Sequence, residues 1–259
     1  FGARWNNIRR LQIGNGEAFT PAAVAKAPAD GYTLTVSPAS FLTTNKSIFK
    51  ALPYDPEVDF APISRLVNQP MVLVVKDKQK FPTMAAFLAA AKAAPAKITY
   101  ASSGDGSPQH LAGLMFETRT QTRMLHVPYK GGALAVNDTI AGTVDALFAV
   151  LPEALPHVQA GKLHALGVMS PQRSPVLPNV PTMAENGVAD LTLSAWVGLL
   201  APAKTPRPVV EQLNRAVRTA MGQGARYPKN PRALNVEINT EVHVNEQDIL
   251  RMRRYLLRA

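Results

Sequence analysis

A chain of 259 residues with 46% hydrophobic side chains has enough apolar material for one large core or two smaller ones, which excludes a wholly disordered protein. The formal net charge of +10 belongs to the two ends: Arg4, Arg9 and Arg10 face no acid in the opening stretch, residues 204–259 carry about twice as many bases as acids, and the body is close to neutral. No basic recognition face with interleaved aromatics is visible, so nucleic acid is not an expected partner, and zero cysteine excludes disulfides, Cys-ligated zinc, iron–sulfur clusters and thiol nucleophiles.

Phe1–Arg10 lacks the apolar centre of a secretion signal. Pro21–Lys26 reads as a helix end, followed by an Asp30-Gly31 turn and a strand over Tyr32–Ser37. Met71–Lys76 is a near-continuous apolar run, as in a strand covered on both faces. Phe81–Ala94 is an alanine-rich helix with Thr83 as N-cap and Pro95 as its stop. The alternation then continues: strand Ile98–Ala101, helix Ser107–Thr118, strand Leu125–Tyr129, helix Ala133–Ala141, strand Val144–Val150, strand Leu163–Met169, strand Ala195–Leu200. Thr205-Pro206 opens a last helix through about Met221. Strands separated by helices imply βαβ units and an α/β fold with mostly parallel sheets. The longest apolar runs, such as Pro70–Val75 and Val197–Ala201, fall far short of the roughly 18 residues of a membrane span.

Prolines gather in two stretches, around 53–70 and 171–182. They suggest a first lobe made of residues 1–75 and 171–259, with residues 76–170 inserted as a second lobe; one sheet with long loops is the other arrangement the pattern allows.

The stretch that carries chemistry is Tyr100-Ala101-Ser102-Ser103-Gly104-Asp105-Gly106-Ser107-Pro108-Gln109-His110. A strand ends, a Ser/Gly turn follows and a helix begins, with Ser107 as N-cap and Pro108 in the first turn. Such a turn presents backbone N–H groups, serine hydroxyls and a helix dipole to an anion; it also reads simply as a well-made turn. It is neither a Walker A loop nor a Gly-x-Gly-x-x-Gly fingerprint, and no cofactor is expected. His126-Val127-Pro128-Tyr129-Lys130-Gly131-Gly132 is a second turn of the same kind, with Lys130 read as a solvated charge and Tyr129 as core or wall. Ser103, Asp105 and His110 supply the residue types of a catalytic triad, but no Gly-x-Ser-x-Gly elbow accompanies them, and no catalytic residue is assigned. His126, His157 and His164 read as structural or surface histidines, and five His without paired ligand spacing give no metal site. Trp196 reads as packed core.

Several segments, in order, resemble one family. They are Leu52-Pro53-Tyr54-Asp55-Pro56 with Asp59-Phe60-Ala61-Pro62-Ile63, Tyr100–His110 with Leu111-Ala112-Gly113, His126–Gly132, Gly142-Thr143-Val144-Asp145, Ala160-Gly161-Lys162-Leu163, Leu177-Pro178-Asn179-Val180-Pro181-Thr182, Trp196-Val197-Gly198-Leu199 and Ala201-Pro202-Ala203-Lys204-Thr205-Pro206. Together they look like the Bug family, the substrate-binding receptors of tripartite tricarboxylate transporters, over about residues 18–221. The resemblance implies a two-lobed periplasmic binding protein of type II-like fold, monomeric and not an enzyme, that closes a hinged cleft on a small organic acid or amino acid and presents it to membrane transporter subunits. By position, Ser102, Ser103, Gly104, Gly106, Ser107 and His110 would form the second-lobe anion grip, Ser37, Ala39 and Ser40 would face them from the first lobe, and Phe148 would line the cleft. Phe1–Glu17 lacks the family's opening strand and glycine loop, and Gly222–Ala259 does not resemble its closing helix, which leaves the first lobe incomplete. A ligand sensor on the same fold and a degenerate relative that binds nothing are the alternatives.

Overall fold

The structure, a computed structural model, describes residues 10–13, 19–48 and 50–222. Readings that fall on the other residues, the tail helix among them, lie outside the described residues. The chain divides into two compact units. The first takes the described residues up to Asn68 and from Trp196 onward, and the second is Gln69–Ala195. The chain passes between them inside two strands, β3 (Phe60–Val75) and β8 (Ser194–Pro202).

In the first unit β1 (Arg10–Ile13) pairs parallel with β2 (Thr33–Pro38), which pairs antiparallel with β8. A strand is therefore present where the sequence was expected to offer none. Four residues with only two apolar positions are too short for periodicity to reveal. Helix α1 (Phe19–Ala25) connects β1 to β2, the single turns α2 (Ala39–Leu42) and α3 (Asn45–Ile48) follow β2, and α8 (Arg207–Gly222) closes the described chain. Val24, Leu42, Tyr54, Phe60, Trp196 and Leu200 form one core cluster of this unit. Trp196 is thus packed core, as read from the sequence. Tyr54 fixes the turn around it: its hydroxyl donates to the Phe41 carbonyl at 3.0 Å and accepts from Asn45 Nδ2 at 3.2 Å.

The second unit holds α4 (Met84–Ala93), β4 (Thr99–Ser102), α5 (Pro108–Thr120), β5 (Leu125–Pro128), α6 (Gly132–Ala141), β6 (Ala146–Val150), α7 (Leu151–Gln159) and β7 (His164–Val168). Its strands stand in the order β7-β3-β6-β4-β5. β4, β5 and β6 run parallel to one another, while β3 lies antiparallel to both β6 and β7. The sheet is mixed because β3 arrives from the other unit instead of through a helical crossover.

Alternation explains the two layers of core. Met71, Leu73 and Val75 point to one face and join Phe81, Phe87, Tyr100, Phe116 and Phe148. Val72 and Val74 point to the other and meet Leu147, Leu151, Leu155 and Leu163. The five rings of the first face touch edge-on or tilted, with centroids 5.1–6.0 Å apart. Thr83 caps α4 by accepting the Ala86 N–H at 3.2 Å. At the edge where β4 and β6 begin, the Asp145 carboxylate accepts from the Thr99 N–H and hydroxyl, each at 3.0 Å, and from Lys80 Nζ at 2.7 Å. This clamp accounts for the Gly-Thr-Val-Asp segment as structure.

Gly113 on α5 faces the Tyr100 ring so closely that a Cβ there would stand 2.3–2.8 Å from the ring and hydroxyl. The fully buried ring has no room to retreat. Gly113→Ala is therefore expected to cost about 1–3 kcal/mol. A thermal melt should show it as a midpoint lowered by several degrees, and an unchanged midpoint would mean the ring moves freely.

Candidate functional site

Parallel strands β4, β5 and β6 end at the same edge of the sheet, and each hands the chain to a helix that starts there. That edge is where open α/β sheets bind ligands. The β4–α5 turn is held from within. Ser102 is fully buried; its hydroxyl accepts the Gly104 N–H at 3.1 Å and lies 2.7 Å from His126 Nε2. The Ser103 hydroxyl donates to Gln109 Oε1 at 2.7 Å. Ser107 caps α5 by accepting the His110 N–H at 3.2 Å, and its own N–H reaches the Gly104 carbonyl at 3.2 Å. Gly104 at φ +127° and Gly106 at φ +73° take backbone conformations that side chains rarely allow.

This arrangement satisfies some main-chain donors of the turn and leaves others open. The Gly106 N–H goes to His110 Nδ1 at 3.1 Å. The N–H groups of Ser103 and Asp105 have no acceptor among the described residues. All three serine hydroxyls are thus engaged within the turn, and the free donors are main-chain amides. The β5–α6 turn adjoins it, with the Tyr129 N–H bonded to the Ser102 carbonyl at 3.0 Å. There Gly131, at φ +115°, precedes α6 without a side-chain cap. Lys130 is exposed. Tyr129 donates to Asp138 at 2.8 Å, and burial with that neighbour pushes its phenol up to about 12, which removes it as an acid catalyst.

His110 and His126, 16 positions apart in the sequence, stack face to face with centroids 3.9 Å apart and planes within 3°. The Tyr100 ring lies beside His126, with centroids 5.0 Å apart and planes tilted by 30°. His126 had been read as an ordinary structural histidine; its place opposite the Ser/Gly turn follows from the β4–β5 register, which sets Tyr100 beside His126. His126 Nδ1 lies 3.6 Å from the exposed Asp105 carboxylate. Orienting Nδ1–H toward that charge leaves Nε2 to accept the Ser102 proton.

The line Ser102–His126–Asp105 has the order of a hydrolytic triad, but Ser102 has no exposed surface on which a substrate carbon could land. Ser103, the serine whose sequence neighbours Asp105 and His110 supply the other triad residue types, bonds Gln109 and not His110. Asp105, His110 and His126 place ligand atoms within 4.8 Å of one another. Their parallel rings direct nitrogen lone pairs along separate planes and not to one point about 2 Å from each, so the cluster does not fit a shared cation.

Of the remaining expected site residues, Phe148 belongs to the second unit and Ser37, Ala39 and Ser40 to the first. Phe148 is fully buried between Tyr100 and Phe116 and has no face for a ligand, because its position in β6 points into the aromatic core. In the first unit Ser37 is buried with its hydroxyl 3.1 Å from that of Thr35, and Ala39 is packed in the core. Ser40 is half-buried.

The comparisons decide the family. The profile described as "Tripartite tricarboxylate transporter family receptor" matches residues 10–254. This chain belongs to that family. The match reaches past the segment 18–221 on which the sequence resemblance rested. Protein BugT of Bordetella pertussis is 36% identical over 211 residues, 81% of this chain and 65% of its own. The chain spans less than two thirds of the length of the curated relatives it matches first. Among solved structures, "R. palustris Rpa4515 with adipate" is 30% identical with a TM-score of 0.82, covering 95% of this chain and 81% of that one. MatC from Rhodopseudomonas palustris with bound malate is 29% identical with a TM-score of 0.79, covering 93% and 84%. The family and these neighbours are receptors that bind solutes, and the fold is the α/β fold of periplasmic binding proteins.

The histidine stack has a pH signature. Burial, then the neighbouring His110, push His126 down to about 4, against the pull of Asp105; burial also lowers His110, which would have to turn a second N–H against that of Gly106 to become charged. In the unfolded chain both titrate near about 6.5. Between those values the unfolded chain takes up protons that the folded one refuses. Stability from the stack is therefore complete above about pH 6.5 and lost as the pH falls toward 4. The melting midpoint of His126→Gln should fall less steeply over this window than that of the unchanged protein. Equal slopes would show that the stack does not resist protonation.

Proposed function

We propose that the protein is a periplasmic receptor that captures a small carboxylate at the carboxyl edge of β4 and β5 and delivers it to a membrane transporter of the tripartite tricarboxylate type. The observation that carries this reading is the Ser102–Ser107 turn, where the loop leading into α5 presents two main-chain N–H groups without acceptors while every serine hydroxyl is spent on holding the turn. Such a site favours an anion and needs no arginine clamp. Membership of a transporter receptor family supports the transport role, and relatives solved with adipate and malate support the ligand class. Among the described residues no helix is long and apolar enough to cross a membrane.

A thermal melt across mono-, di- and tricarboxylates and amino acids tests the reading. A ligand at about 100 times its Kd adds about 2.7 kcal/mol, which should raise the midpoint by roughly 5–10 °C. Gly104→Val forces a β-branched residue into φ +127°, with its Cβ 3.3 Å from the Tyr129 carbonyl. It should keep a cooperative melt and lose the ligand shift. A clean melt that no acid moves would overturn the receptor reading, and a full shift retained by Gly104→Val would move the site off this turn.

A further inference from the structure

The buried Ser102 hydroxyl has one proton and more partners than that proton can serve. It accepts the Gly104 N–H at 3.1 Å and has two acceptors in reach, the Gly104 carbonyl at 3.1 Å and His126 Nε2 at 2.7 Å. With His126 neutral and its Nδ1–H turned toward Asp105, the shorter contact takes the proton. The Gly104 carbonyl still has the Ser107 N–H at 3.2 Å. A proton added at Nε2 would reverse the bond. Nε2–H would then donate to Ser102 Oγ, and rotation about the Cβ–Oγ bond would carry the serine proton to the Gly104 carbonyl. Each polar atom keeps a partner, and no bond to the serine oxygen breaks.

His110 has no such alternative. Its Nδ1 already accepts the Gly106 N–H at 3.1 Å, and a proton there would set two N–H groups against each other. The rings lie 3.9 Å apart, so charge on one opposes charge on the other. The groups around the pair also favour His126. Asp105 acts on both rings and stands 3.6 Å from His126 Nδ1. From β4 the pair meets Ser102 and Tyr100, whose phenol burial keeps protonated; Glu117 of α5 acts on that phenol. On the β5–α6 turn Lys130 is exposed and Tyr129 is bonded to Asp138.

We propose that Ser102 and the stacked histidines form a pH-sensitive switch: in acid one proton enters at His126, which reverses its bond to Ser102 and pairs with Asp105, while Ser102 turns its own proton to the Gly104 carbonyl. The switch cancels the Asp105 charge beside the turn and leaves the turn's contacts standing. It is a property of the turn itself and does not depend on an anion binding there. A carboxylate on the Ser103 and Asp105 amides would be relieved of its repulsion from Asp105 by the same event.

The test is a nitrogen-15 NMR titration of the full chain without ligand, from about pH 8 down to acid unfolding. At the start His126 should hold its proton on Nδ1 and His110 on Nε2. On acidification His126 Nε2 should gain a proton while His110 keeps a single one, and the Gly104 amide should shift with the same midpoint. Asp105→Asn should lower the His126 midpoint by about half a pH unit or more, because the charged ring loses its counter-charge. Ser102→Ala should shrink the Gly104 response, with a melt to confirm folding. A neutral His126 protonated on Nε2, a first proton on His110, or unfolding before either ring is charged overturns the switch. So does a His126 midpoint unmoved in Asp105→Asn, or a Gly104 shift of full size in Ser102→Ala.

Discussion

The constraint behind the second unit is that a helix starting at the end of a parallel strand begins with N–H groups that no carbonyl of its own can meet. Ser107 answers it at the start of α5 by taking the His110 N–H, and in the turn ahead of the helix Ser102 takes the Gly104 N–H from inside the sheet while the His110 imidazole takes the Gly106 N–H in place of an oxygen. That last choice demands a neutral ring, and the stack on His126 keeps it so by shutting out water. The histidines are thus part of the bonding that holds the turn ahead of the helix. What remains open after these bonds is a small, rigid pair of donors on a turn with very little freedom.

The packing beneath depends on the same geometry. β4 must carry Tyr100 inward for Ser102, two residues on, to reach the turn from the buried side. Tyr100 then needs a helix without a side chain at position 113, and it presents its other face to His126. Core, histidine stack and turn are consecutive layers of one strand's alternation. Asp145 holds the opposite ends of β4 and β6 and keeps that strand from sliding.

Much of this was legible in the residues. Alternating apolar runs broken by glycine and proline located β4 to β7 and helices α4 to α6, and Thr83 and Ser107 announced their caps. The misses share physical reasons. The part of β3 ahead of Met71 contains Pro62 and Pro70, which read as loop punctuation. α7 contains Pro152 and Pro156, the first harmless where a helix needs no N–H, and the sequence reading placed no helix between Val150 and Leu163. At the site the Ser/Gly turn was readable because its chemistry is local. Phe148 was misplaced because strand position alone does not say which face it serves.

A turn whose open donors are main-chain amides has a consequence for how such a protein changes over generations. A codon change can delete a hydroxyl, a guanidinium or an imidazole, but apart from proline it cannot delete a backbone N–H. The donors of Ser103 and Asp105 persist under nearly every substitution at their own positions, provided the glycines beside them stay. Inheritance can therefore vary the surrounding side chains, residue by residue, without starting again from a surface that holds nothing.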